Sequence, residues 1–407
     1  MKTEKIINTE SSRCINVAAN EVTSLRINNK VENTVRVYDN GCIGVEGRLG
    51  NADFGEMEKA AQAKLQQNIA YPETHEKAIV MDVDSTKEIL TEEQFVPFVK
   101  KLVARLAKEN PDFLFSNKVL LNSNCTTYEN SDGTKLCYKG NQFELGLAIK
   151  YKGSANIMDE FYGCESDYFD EDEICRDVKI KCDAFLKNLP HVGDEVTVIG
   201  DFEPLQYAMQ HFLADLYFNK SSLLDGKLGQ KIFNEKFSFL VNRDPKRQLN
   251  IPFFDAEGVV NDNFVNYVVK NGVLERLVTC KKSAAQYNTE NLGSASASYN
   301  GVPGLGAGGS EVADTAESLA ELVQGEAVYV TTTGGGDMTP SGDFSLPVIV
   351  SYLYKDGKLV GRLPEFTISA NIFDVLGNDF VGVTRKGIFK FGRHSYFVYK
   401  AKLVNKI

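Results

Sequence analysis

The chain has 407 residues with a formal net charge of −10, 43% of them hydrophobic and 25% charged. That is enough for two soluble domains of ordinary size. No Lys/Arg cluster exceeds Lys100-Lys101 or Lys281-Lys282, which excludes the basic footprint of a nucleic-acid binder, and no apolar run is long enough to span a bilayer.

Residues 1–20 are polar and lack the apolar stretch of a signal peptide, so a cytoplasmic location is expected. Asn40-Gly41 lies between β-formers at 35–38 and 42–45, a tight-turn hairpin signature. Residues 53–67 and 91–108 read as helices; the second opens on Thr91 and spaces Phe95, Phe98, Val99, Leu102, Val103 and Leu106 along one face. Asp132-Gly133 marks a second hairpin. The acidic run at 167–173 reads as the solvated start of a helix over 170–186. Residues 188–193 then form a break, and the domain boundary is placed at 190, giving domains 1–190 and 191–407. A strand at 196–199 and an apolar-faced helix over 204–218 follow.

Asn271-Gly272 and Asp356-Gly357 are further hairpin turns, between β-formers at 264–269 and 273–278 and at 348–354 and 358–363. Residues 293–309, rich in Gly, Ser and Ala, read as a mobile loop that buries little. Ser310 and Gly325 bracket an expected helix over 311–323. The fold class is therefore α+β, two domains built on antiparallel sheets with flanking helices, rather than a Rossmann arrangement.

No catalytic signature emerges from these residues. The Gly-rich 301–309 lacks the Gly-Lys-Ser/Thr of a phosphate loop, and Glu311 would repel phosphate. The eight cysteines contain no C-x-x-C pair and suit reduced, buried thiols. Among the four histidines, His75-Glu76 starts like H-E-x-x-H but no second His follows. His211 and Asp215 are one helical turn apart, but nothing nearby in sequence supplies a third ligand.

Several short segments, in order, resemble the TldD/PmbA metallopeptidase family, also called the modulator of DNA gyrase family. Lys220-Ser221-Ser222-Leu223-Leu224-Asp225-Gly226-Lys227-Leu228-Gly229 is similar to its S-F-L-x-G-K-L-G stretch, and Phe254-Asp255-Ala256-Glu257-Gly258-Val259 to F-D-D-E-G-V. Asn271-Gly272-Val273-Leu274, Ser283-Ala284, Thr333-Gly334-Gly335-Gly336, Ser341-Gly342-Asp343-Phe344 and Ile368-Ser369-Ala370-Asn371 follow in the family's order.

The resemblance implies a TldD/PmbA-like fold with a metallopeptidase-type C-terminal domain. The catalytic TldD branch carries H-E-x-x-x-H just before the S-F-L stretch; the corresponding positions here are Leu205, Gln206 and Gln210. That branch also has a C-terminal Cys ligand, whereas the last cysteine here is Cys280. Leu cannot bind zinc, and a Gln amide is a poor ligand and no base. The chain thus resembles the PmbA (TldE) branch. For it the resemblance implies no catalytic residues and no metal of its own, with zinc in a TldD-like partner. The implied role is a non-catalytic subunit of a heterodimer that cleaves unfolded peptides or matures leader peptides. The alternatives are a stand-alone homodimeric peptide-binding or structural protein, and a peptidase built on His211 and Asp215. Gly334, Gly335, Gly336, Ser341, Gly342 and Asp343 are the candidate peptide or partner contacts. The acidic composition lends nothing to a link with DNA gyrase.

Overall fold

A computed structural model describes residues 1–73, 78–200, 203–306 and 308–404. His75 and Glu76 lie outside the described residues.

The N-terminal part is a sheet with helices on it. Its strands are β1 (Lys2–Ala18), β2 (Glu21–Asp39), β3 (Cys42–Leu49), β4 (Val80–Asp84), β5 (Phe113–Asn130), β6 (Lys135–Tyr151) and β7 (Glu160–Ser166). They run in the order β3-β2-β1-β5-β6-β4, with β7 also on β6. Only β4 is parallel to its neighbour. Three helices belong here: α1 (Phe54–Lys64), α2 (Glu92–Glu109) and α3 (Glu171–Phe185). Thr91 and Gln94 form a reciprocal capping box on α2, and Asp170 caps α3 by accepting from Glu173 N–H. The acidic start of α3 is drawn onto α2, where Arg105 holds Glu171 and Asp172.

The next stretch gives β8 (Glu195–Gly200), α4 (Glu203–Met209), α5 (Ala214–Phe218), β9 (Phe239–Asn242), β10 (Val265–Lys270), β11 (Val273–Leu274) and α6 (Lys281–Tyr287). After it come β12 (Ala295–Ser296), β13 (Gly304–Leu305), β14 (Ser310–Val312), α7 (Leu319–Leu322), β15 (Glu326–Thr333), β16 (Asp337–Met338) and β17 (Asp343–Lys355). The chain ends on β18 (Lys358–Arg362), β19 (Phe366–Asn371), α8 (Ile372–Val375), β20 (Phe380–Thr384) and β21 (Tyr396–Val404). Strands β15, β8, β21, β19 and β17 are neighbours in turn, and β17 pairs again with β15, so this sheet closes on itself. A smaller sheet, β11-β10-β9-β14, lies beside it.

One apolar cluster joins both parts: Val99, Leu102 and Leu106 of α2 and Val178 and Cys182 of α3 belong with Tyr352, Phe389 and Val398. Deep in this junction, Glu160 accepts from Lys181 Nζ (3.2 Å), Thr331 Oγ1 (3.1 Å) and Tyr352 Oη (2.6 Å).

Three sequence expectations need correction. The helix expected over 311–323 is a strand at Ser310–Val312 and one turn at Leu319–Leu322. There Glu311 is buried and accepts from Asn242, Gln248, Arg247 and Arg385, while its backbone pairs with β9. The helix expected over 204–218 is broken at Leu213, because Val278 N–H donates to Phe212 C=O and Ala214 N–H to Val278 C=O. The Gly/Ser-rich 293–309 is not loose packing: Ser294 and Ala295 are buried, and Thr34 Oγ1 donates to Tyr299 C=O at 2.6 Å.

Candidate functional site

Helix α4 and the turn after it, through Tyr207, Gln210 and His211, form one wall of a cleft of about 700 Å³. Leu205, Ala208 and Phe212 recur at helical spacing and are buried in the core beneath it. This packing turns Leu205 inward, leaves Gln206 exposed, and puts Gln210 on the cleft wall beside Tyr207 and His211. The loop after α5 supplies the opposite lip with Lys220, Ser221, Ser222, Asp225 and Lys227. Lys227 places its ammonium 5.8 Å from the Phe373 ring centre.

His211 ties these walls together. Its Nδ1 accepts from Leu223 N–H at 3.1 Å, and its carbonyl accepts from Ser222 Oγ at 2.7 Å. Burial lowers the imidazole pKa, which favours the neutral ring this bond requires. Asp215 lies by Tyr287, whose phenol is raised by burial and by that carboxylate. His211 and Asp215 therefore point to different neighbours, although they are one turn apart in sequence.

The third wall is the segment between β15 and β17. Gly336 runs so close under α4 that a Cβ there would meet Ser345 O at 2.6 Å and Tyr207 Oη at 2.7 Å. Tyr207 in turn stacks on Phe344 with ring centres 6.2 Å apart. Of the six candidate contact residues, only Gly336 lines the cleft. Gly334 packs near Pro347 and Ile349, and Gly335 takes a positive φ of 83°. Ser341, Gly342 and Asp343 form a turn tied to the end of β19: Ser341 Oγ donates to Asp343 Oδ2 (2.6 Å) and Asn371 Nδ2 to Asp343 Oδ1 (3.0 Å). Those bonds, the Ser341 one foremost, hold the Asp343 pKa below the ordinary range.

The cleft residues that sequence reading did not name are Tyr207, Asp337, Met338, Thr339 and Pro340. Lys220, Asp225 and Lys227 belong to the motif over 220–229, which was the signal for that lip.

The residues do not fit a zinc ion. A structural or catalytic zinc needs three or four N, S or O ligands in a tetrahedral set, and among the described residues no group of three His, Cys, Asp or Glu side chains converges. Leu205 lies in the core, and Gln206 and Gln210 offer only amides, which are poor zinc ligands. What the cleft offers is the Gln210 amide, hydroxyls, two ammonium groups, the His211 imidazole, the Asp225 and Asp337 carboxylates and an aromatic face, a set that can hold a polar chain.

Residues 202–395 match the family described as PmbA/TldA metallopeptidase C-terminal domain. An uncharacterised protein of Methanocaldococcus jannaschii is 27% identical over 254 residues, 60% of this chain and 59% of that protein. A protein of Methanothermobacter thermautotrophicus named metalloprotease is 29% identical over 188 residues, 45% of this chain and 40% of that protein. The sequence matches thus span well under two thirds of either relative. In structure, TldE from Thermococcus kodakarensis superposes with a TM-score of 0.79 at 16% identity, covering 99% of this chain and 96% of that one. A putative modulator of a DNA gyrase from Thermotoga maritima gives 0.78 at 16% identity, with the same coverage. These two likenesses establish the fold along the chain's length.

Proposed function

We propose that this chain, whose residues 202–395 match the PmbA/TldA metallopeptidase C-terminal domain, is a non-catalytic, PmbA/TldE-like subunit of a zinc metallopeptidase. In this reading it walls a peptide chamber beside the zinc of a TldD-like partner, for proteolysis or peptide maturation. One observation carries the proposal. The helix that would present H-E-x-x-x-H keeps its packed face and its place on the cleft, while its three chemical positions are Leu205, Gln206 and Gln210. The scaffold is retained without the groups that bind zinc or take a proton. The cleft's donors and acceptors supply main-chain and side-chain anchors for an extended substrate.

The test is reconstitution. This chain, a TldD-like protein from the same genome, and an equimolar mixture are each incubated with a quenched-fluorescence unfolded peptide. The mixture is expected to cleave, and this chain alone is not. Cleavage by the partner at the same rate with and without this chain, or cleavage by this chain alone, overturns the reading.

A further inference from the structure

A second cavity, of about 600 Å³, lies at the junction itself, between the outer edge of β7 and Tyr329–Thr331 of β15. None of its lining residues lies in the α4 cleft. β7 pairs with β6 along one edge. Arg393 N–H donates to Glu165 C=O at 2.8 Å, so the main-chain groups of Glu165 point away from β6. By the alternation of an antiparallel strand, those of Gly163 and Phe161 point the same way. Phe161 has both satisfied: its N–H donates to the Glu160 carboxylate (2.7 Å), and its C=O accepts from Lys181 Nζ (2.6 Å). Gly163 has no such partner among the described residues, and it is exposed to the cavity.

The surroundings decide what fits. Gly163 sits opposite Gly146, and the exposed Phe161 ring lies over both in the space their side chains would take, leaving the edge N–H and C=O of Gly163 open to the cavity. The lining cations are already committed: Lys181 to Glu160, Arg385 to Glu311 and Asp314, and Arg393 Nη1 to the Arg247 carbonyl. A strongly anionic ligand would have to break those bonds. An amide chain needs only one donor and one acceptor at strand spacing, which Gly163 provides. The edge is closed at one end by Thr331 on Glu160 and at the other by Arg393 on Glu165, leaving room for roughly three residues at about 3.3 Å each.

We infer that this cavity binds a short extended peptide, about three residues long, which adds as a strand segment to β7 through the N–H and C=O of Gly163. Recognition is of main chain, with one side chain free to lie on the Phe161 ring. This site is independent of the α4 cleft and of the subunit role assigned to it.

The probe is N-acetyl-trialanine amide, followed by saturation-transfer NMR on the full chain. Saturation transfer is expected, and methylating the central amide nitrogen should weaken binding at least tenfold. Gly163→Pro should do the same; its lost N–H points off the sheet edge, where proline is tolerated, and thermal melting checks the fold. If that variant does not fold, Phe161→Ala should weaken binding several-fold. Lys227→Ala, in the α4 cleft, should leave it unchanged. No binding, equal binding of the N-methylated peptide, or retention by folded Gly163→Pro overturns the inference. Loss on Lys227→Ala alone assigns the peptide to the α4 cleft, which also overturns it while leaving the subunit reading standing.

Discussion

Leu205 is only 4% exposed and shares its cluster with Ala208 and Phe212, so it is a packing position. Truncation should cost what a buried leucine costs. Leu205→Ala is expected to lower unfolding free energy by about 2–5 kcal/mol, whereas the exposed Gln206→Ala should change it by less than about 0.5 kcal/mol; urea denaturation distinguishes them. Glu257 is a second informative residue. Buried, it accepts from the Tyr71 hydroxyl and from Lys281 N–H (2.9 Å), linking the two parts of the chain. Burial first, and Asp255 second, push its pKa up to about 7. A carboxyl raised on folding contributes stability that is fully present below its unfolded pKa and lost as pH rises through the folded one. The chain should therefore lose on the order of 2–3 kcal/mol from this group between about pH 4.5 and 7.5. Glu257→Gln should remove that slope, as read from denaturation midpoints across the range. An unchanged slope contradicts the assignment.

At the scale of elements, the sequence was legible where turn chemistry or helical periodicity was explicit. Asn40-Gly41, Asp132-Gly133, Asn271-Gly272 and Asp356-Gly357 all join paired strands. The α2 span was readable from its Thr91 start and apolar spacing, and that of α3 from the acidic run at its start. The β1–β2 hairpin was not. Its turn is Ala19-Asn20, with positive φ at both residues (48° and 72°), a conformation that Gly or Asn normally advertises. Its outer half, residues 23–29, is exposed on both faces, so no alternation betrays a strand. Asn20 compensates by bonding to Phe115 N–H and Phe113 C=O of β5. Ala19→Gly should relieve the left-handed strain and raise stability by about 0.5–1 kcal/mol, measured by thermal melting. The α4 break and the strand at Ser310–Val312 were hidden for another reason: both are imposed by distant partners, Val278 and β9, which local pattern does not encode. The cleft was half legible. The 220–229 motif pointed to one lip, while Tyr207 and Asp337 reach the site only through the fold.

The whole molecule depends on its junction. Lys181 and Glu160 are 5% and 1% exposed, and Glu160 also takes Thr331 and Tyr352 from the closed sheet. Lys181→Met leaves that carboxylate without its counter-charge and should destabilise the chain by about 3–5 kcal/mol. Pairing it with Glu160→Gln should recover part of the loss, in a double-mutant cycle read by urea unfolding. The proposed function makes a parallel demand at the level of assembly: a chain whose described residues gather no ligand set takes its metal chemistry from a partner. The most direct test is zinc content. The purified chain is dialysed against a small excess of zinc and then against metal-free buffer, and bound metal is counted by plasma mass spectrometry. The account predicts zinc far below one per chain for this subunit alone, and about one per complex when a TldD-like partner co-purifies. One tightly held zinc per isolated chain would contradict it.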